Sequence, residues 1–154
     1  MADHVREQIR AAAIATLTGI TGIVSVHDSL VYALEENQLP ALRIDLGDED
    51  IVPGSTGGRA RTISRTVPMT VDICLKDNAE YEKQANNYSK EVEIRLANNN
   101  TLVAGDPPKS LCKSITPRRI ETRRTGEGEK ITVLRRLTFQ VFYVTAMNAP
   151  DVPM

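Results

Sequence analysis

Apolar residues recur at helical spacing in two segments of the chain. The first segment ends before Gly19 and Gly22, and its apolar positions are Val5, Ile9, Ala13, Ile14 and Leu17. This spacing predicts an amphipathic helix with Asp3 as its N-cap. The second segment predicts a helix over residues 79–97, because its apolar residues share one stripe against a remainder rich in Glu and Lys. That stripe consists of Tyr81, Ala85, Tyr88, Val92 and Leu96.

Alternation of apolar and polar residues predicts the strands. They are expected over residues 23–32, 41–46, 61–75, roughly 111–124 and 130–146. The alternation is clearest in residues 61–75, where only Arg65 interrupts the apolar side. This strand greatly exceeds the usual length of about 5–6 residues, so we expect its first half to project from the sheet. Pro68 has no N–H to donate and therefore indicates a bulge or an edge.

These elements together predict an α+β fold. We expect a mixed, mostly antiparallel sheet of about five strands with two helices on one face. The last two strands, joined by a turn at residues 125–129, should form a long projecting hairpin. A length of 154 residues suits one domain, assigned to residues 1–146, followed by an irregular tail at 147–154.

The acidic, glycine-rich segment at residues 47–60 reads GDEDIVPGSTGGRA. Its composition buries little apolar surface, so we expect a loop that is mobile in the free protein. Neighbouring subunits in an assembly should then order it.

Composition excludes several classes of protein. A formal net charge of −1 argues against a surface wholly committed to nucleic acid. The N-terminus carries charges where a signal peptide would be apolar, and no run reaches the length of a membrane span, so we expect no membrane association. Cys74 and Cys112 have no CxxC spacing and no neighbouring His, which predicts free thiols and no metal site.

No catalytic or cofactor motif accompanies these features. The GSTGGR sequence at residues 54–59 leads into a strand and lacks the GK[ST] of a phosphate loop. Asp45, Asp48, Glu49 and Asp50 lack the spacing of a calcium loop, so a solvated acidic loop is expected. His4 and His27 have no evident catalytic partner. We therefore predict a protein that is not an enzyme and binds neither a cofactor nor a metal.

Charge is polarised along the chain. Residues 115–136 hold seven basic and three acidic residues, whereas residues 35–50 hold six acidic residues and one Arg. Three interpretations remain open: a solvated charged hairpin, a nucleic-acid patch that lacks stacking aromatics, or complementary faces for head-to-tail subunit contact. The third predicts a subunit or partner interface at Asp48, Glu49, Asp50, Arg59, Arg61, Arg65, Arg118, Arg119, Arg123 and Arg124.

The order of elements resembles the lambda-type tail terminator proteins of long-tailed bacteriophages. The resemblance covers nearly the whole chain and rests on particular sequence segments as well as on the order of elements. These segments are REQIRAAAIATL, LVYALEENQLPALRIDLGDED, YEKQANNYSKEVEIRL and the final pair of strands.

The resemblance implies a structural virion protein without enzymatic activity. In that family the protein forms a hexameric ring that caps the tail tube, ends its polymerisation and presents the surface to which the head joins. The implied partners are other copies of the chain, the tail tube protein and a head-tail connector or neck protein, and DNA only passes through the ring. The implied location is the head-proximal end of the virion tail, with assembly in the host cytoplasm. The alternatives are another neck or tail-completion protein and a small nucleic-acid-binding module.

Overall fold

The computed structural model describes residues 3–28, 38–54, 61–125 and 132–154. Two helices lie among nine strands in the described ranges. In chain order the elements are α1 Val5–Leu17, β1 Ser25–His27, β2 Ala41–Leu46, β3 Asp50–Pro53, β4 Thr62–Lys76, α2 Tyr81–Asn98, β5 Val103–Ala104, β6 Lys109–Ser110, β7 Ser114–Thr125, β8 Thr132–Ala146 and β9 Ala149–Pro153.

Seven strands form one mixed sheet, and β5 and β6 form a separate small one. The order across the main sheet is β1-β2-β4-β8-β7, with β3 paired to β4 and β9 paired to β8 at one end. The pair β1–β2 is parallel, whereas the pairs formed by β4, β7, β8 and β9 within this sheet are antiparallel. The predicted α+β class with a mostly antiparallel sheet is confirmed, and the sheet has more strands than expected.

The core lies between the two helices and one face of the sheet. Alternate residues of β4 face it, from Val67 to Leu75, and their cross-strand neighbours on β8 include Phe139 and Val141. From α1 the core receives Val5, Ile9, Ala13 and Leu17, and from α2 it receives Ala85, Val92 and Leu96. We call this side of the sheet the helix face and the opposite side the open face.

Strand β4 pairs along one side with two strands, β2 and β3, which lie end to end. β2 pairs with β4 as far as Leu46 opposite Met69, and β3 begins at Asp50 opposite Thr66. Pro68 lies at the break, where its carbonyl accepts a hydrogen bond from the Gly47 N–H at 2.8 Å. Because Pro68 has no N–H, the gap between β2 and β3 leaves no donor of this residue unpaired. The proline therefore marks a discontinuity beside β4, not an edge of the sheet.

Three predicted regions differ from the structure. The segment 47–60 contains strand β3, because its backbone pairs with β4 over Asp50–Pro53. The first half of β4 does not project from the sheet, since β3 and β8 flank it over Ile63–Thr66. The tail is not irregular, because Ala149–Pro153 pairs with the end of β8 as β9.

Smaller differences concern the ends of elements. His4, not Asp3, is the N-cap of α1, where its Nδ1 accepts from the Arg6 N–H at 3.0 Å. The strand expected at 23–32 is described only as Ser25–His27, and residues 29–37 lie outside the described ranges. β7 pairs with β8 over Thr132–Phe142, with an irregularity between Pro117 and Arg119, but residues 126–131 lie outside the described ranges, so the projecting hairpin stays a prediction.

Candidate assembly surface

The acidic segment is attached to the sheet by one of its carboxylates. Glu49 accepts from Arg65 Nη1 at 3.0 Å and from the hydroxyl of Tyr143. Arg65 is only 8% exposed, and its Nε donates to Thr145 Oγ1 at 3.1 Å. Burial and the Glu49 hydrogen bond raise the pKa of Tyr143 above its ordinary value, which keeps the hydroxyl available as a donor. We call Glu49, Arg65, Tyr143 and Thr145 the β3 anchor.

The β3 anchor explains the one charged residue that interrupts the apolar side of β4. Arg65 and Tyr143 are directly opposite on β4 and β8, and both point to the helix face. The sequence identified Arg65 and Glu49 as partners of another subunit, whereas both are bound within this chain. Any contribution of these two residues to an interface is therefore through the position of β3.

A row of alternating charges crosses the open face of the sheet. Arg43, Asp72, Arg136 and Glu121 occupy directly opposite positions on β2, β4, β8 and β7. Asp72 accepts from Arg43 Nη2 at 3.0 Å and from Arg136 Nε at 2.8 Å. Asp72 is 3% exposed although it lies on the open face, because the two guanidinium groups flank it. The paired carboxylate raises the pKa of Arg136.

The predicted basic cluster on β7 divides between the two faces. Arg119 and Arg123 flank Glu121 on the open face, with nearest ion-pair distances of 2.9 and 3.9 Å. Arg124 faces the other way, 3.6 Å from Asp77 and over the ring of Tyr81. Arg118 lies at the irregularity between Pro117 and Arg119 and is exposed. All four arginines thus lie on the edge strand β7, but Arg124 is on the face opposite to Arg119 and Arg123.

The edge of the sheet opposite to β7 carries acidic residues. Asp48 and Asp50 are exposed at the start of β3, beside the inward-facing Glu49. Arg61 is exposed just before β4, and Arg59 lies outside the described residues. Among the described candidates, Asp48 and Asp50 therefore lie at the β3 edge, with Arg61 near the start of β4, and the arginines of β7 lie at the opposite edge of the sheet.

Both edges are free within the described part of the chain. β3 pairs only with β4, and β7 pairs only with β8. Ile51 and Val52 on β3 are 52% and 61% exposed, and Ile120 on β7 is 51% exposed. Edge strands with exposed apolar side chains present unpaired backbone groups for pairing with another strand.

Other potential chemistry is limited in the described residues. Burial raises the pKa of the Cys74 thiol to about 11 and that of the Cys112 thiol to about 12. Within residues 3–28, 38–54, 61–125 and 132–154, no three His, Cys, Asp or Glu side chains are grouped to hold a metal ion. Neither described helix is long and apolar enough to cross a membrane.

No family model matches this sequence, and no curated protein gives a significant match. The solved structures that match include a chain described as "Virion of native gene transfer agent (GTA) particle". The two chains are 12% identical, with a TM-score of 0.49. The match covers 87% of this chain and 92% of the other.

Proposed function

We propose that this protein is a structural component of a phage-like virion that assembles as a ring. The observation that carries the proposal is the pair of free sheet edges with opposite charge. The β3 edge presents Asp50 and, just before the strand, Asp48, whereas β7 presents Arg118, Arg119 and Arg123. A contact between two different surfaces of each copy is heterologous, and it generates a ring when the rotation closes.

Strand pairing supplies a physical basis for this contact. β7 of one copy would pair with β3 of the next, and the carboxylates and guanidinium groups would fix the register. The two edges are staggered, because β3 lies beside Ile63–Thr66 and β7 begins opposite Phe142 on β8. Strands that tilt relative to the ring axis require such a stagger when a sheet closes on itself.

Within this class, we assign the role of tail terminator. The resemblance of the helix and strand sequences to the lambda-type tail terminators supports this assignment. The ring would then be a hexamer that caps the tail tube, ends its polymerisation and offers a joining surface to a connector or neck protein. Its partners would be the tail tube protein and that connector, with DNA passing through the ring, and its location the head-proximal end of the tail. No enzymatic role forms part of the proposal.

The ring contact is tested by reversing charge at one edge. We expect native mass spectrometry at increasing concentration to show monomer and one closed oligomer for the unchanged chain. Arg119→Glu with Arg123→Glu should abolish the oligomer, because both groups would then repel Asp48 and Asp50. Lys83→Glu with Lys90→Glu is the matched control, since it changes the net charge equally at exposed positions on α2, which is not one of the two edge strands.

A charge exchange between the two edges provides the rescue experiment. Adding Asp48→Arg and Asp50→Arg to the Arg119→Glu, Arg123→Glu variant should restore assembly, because the two edges again carry opposite charges. Equal loss of assembly in the α2 control would contradict the edge contact, as would a chain that stays monomeric at every concentration and on tube ends.

A second experiment separates the terminator from the alternative functions. Polymerising tail tube protein with this chain should give shorter tubes that carry a ring at one end in electron micrographs. Another neck protein would form rings without shortening the tubes. A nucleic-acid module would instead bind random DNA with an affinity that falls steeply with salt.

A further inference from the structure

A groove lies between α1, the turn joining β5 to β6, and β9. It consists of two adjoining cavities of about 400 and 410 Å³. Both cavities are lined by Asp3, Gln8, Ala104, Gly105 and Leu111. No lining residue belongs to β3 or β7, so the groove is separate from the ring contact.

The walls of the groove are connected by hydrogen bonds. Gln8 Nε2 on α1 donates to the Asp3 carbonyl at 2.6 Å and to the Asp151 carbonyl at 2.7 Å, which joins the helix to β9. The Leu111 N–H donates to the Thr101 carbonyl at 3.0 Å and holds the other wall. A groove fixed in this way loses little conformational freedom when it binds a ligand.

The lining has an apolar floor and an acidic rim. Ala11, Ala12 and Ala15 of α1 form the floor on one side, and Val152 of β9, 46% exposed, extends it on the other. The small alanine side chains leave room for a bound chain to lie close to the helix.

The charge of the rim is strongly unbalanced. Four acidic residues line the groove, Asp3, Glu7, Asp106 and Asp151, against one basic residue, Lys109. Glu7 is paired with Arg10 at 2.6 Å, whereas no hydrogen bond or ion pair joins the other three carboxylates to a cation in the described part of the chain. These carboxylates do not form a metal-binding group. Carboxylates that are not grouped around one ion can pair one by one with cationic groups along an extended ligand.

We infer that this groove binds an extended peptide segment of another protein, one in which Lys or Arg residues flank small apolar residues. The apolar side chains would lie on the alanine floor, and the basic side chains would pair with Asp3, Asp106 and Asp151. An acidic ligand would be repelled by the same rim.

The test uses acetyl-Lys-Val-Lys-Val-Lys-amide with a fluorescent label, and binding is followed by anisotropy. Asp106→Asn with Asp151→Asn should weaken binding by about tenfold or more, because two charge-assisted contacts are lost. Asp48→Asn with Asp50→Asn, which removes the same charge near β3, should leave the affinity unchanged. Ala11→Tyr should block binding by filling the floor from an exposed position.

Three results would overturn the inference: equal binding of a control peptide with Gln in place of each Lys, no effect of the Asp106 and Asp151 changes, or tighter binding of a peptide of residues 116–125. The last would assign the groove to a second copy of this chain. Native mass spectrometry of the Ala11→Tyr variant keeps this test separate from the ring, since assembly should persist when peptide binding is lost.

Discussion

Glu49 points inward although it lies in an acidic segment that the sequence predicts to be solvated. Three consecutive acidic residues, Asp48 to Asp50, suggest a solvated loop, yet the middle one turns inward to Arg65 and Tyr143. Alternation along a strand places Glu49 on the side opposite its two exposed neighbours. The sequence provided the charge of Arg65 and Glu49 but not their pairing, because 16 positions separate them.

Glu49→Ala should destabilise the fold by about 3 kcal/mol, because it leaves the Arg65 guanidinium buried without its carboxylate. Asp48→Ala, at an exposed neighbouring position, should change the free energy of unfolding by less than about 0.5 kcal/mol. Urea denaturation followed by circular dichroism measures both. Similar losses in the two variants would show that Glu49 has no special role.

The two buried thiols give the fold a dependence on alkaline pH. Their pKa values in the fold, about 11 for Cys74 and about 12 for Cys112, lie above the ordinary value of 9.0. Below pH 9 both states hold the protons, so the stability due to the neutral thiols is complete. As pH rises from 9 through the folded pKa values, the unfolded chain loses its protons first and that stability is lost.

We therefore expect the free energy of unfolding to fall between about pH 9 and pH 11, with a smaller fall in Cys74→Ala and in Cys112→Ala. Above about pH 10, Tyr143→Phe should also reduce the slope, because the pKa of Tyr143 is raised in the fold above its ordinary value of 10.0. Urea titrations at both pH values provide the measurement. A slope unchanged by all three substitutions would contradict the assignment.

At the scale of elements, the charged row on the open face joins four strands. Asp72 is 29 positions from Arg43 and 64 from Arg136, and only the strand register brings them together. No local pattern reports such a pairing. The sequence therefore assigned Arg136 to a basic segment, whereas the structure uses it to neutralise a buried carboxylate.

Asp72→Ala should cost about 3 kcal/mol, since it leaves Arg43 and Arg136 facing each other across β4 without a carboxylate. Arg43→Leu combined with Asp72→Leu and Arg136→Leu should be much less destabilising, because no uncompensated charge remains. Thermal unfolding of both variants compares them. The row would be irrelevant to stability if the single substitution were as mild as the triple one.

Elements with strong periodicity were predicted well, and short exposed ones were missed. α1, α2 and β4 bury one side each, so their apolar residues recur at a fixed spacing. β3 is exposed along its whole length, and backbone pairing and the β3 anchor hold it in place. Because neither backbone pairing nor distant ion pairs alter the local pattern, β3 and β9 read as irregular in the sequence.

At the scale of the whole molecule, the sequence indicated that acidic and basic residues are concentrated in different segments, and the fold determines where those segments lie. The acidic and basic segments lie at opposite edges of one sheet because β4 and β8 separate β3 from β7. That order depends on the topology, which a pattern of residues does not contain. The sequence therefore named these charged residues as interface candidates, which stays a prediction, but it did not give their division between an interior anchor, two faces and two edges.

The short link between β2 and β3 has a consequence for how such a chain can change its length. Gly47 packs against Pro68 so closely that a Cβ there would lie 2.8 Å from the proline Cγ, and residues 47–49 are all that joins the two strands.

Inserting one residue after Gly47 should shift β3 by one position, exchange the faces of Ile51 and Val52 and remove Glu49 from Arg65. We expect such a variant to lose both stability in urea and ring formation, whereas an insertion between the exposed Pro107 and Pro108 should preserve both. Equal tolerance at the two sites would argue against this view. Related chains should then keep the number of residues in the link at 47–49, so that deletions and insertions accumulate elsewhere.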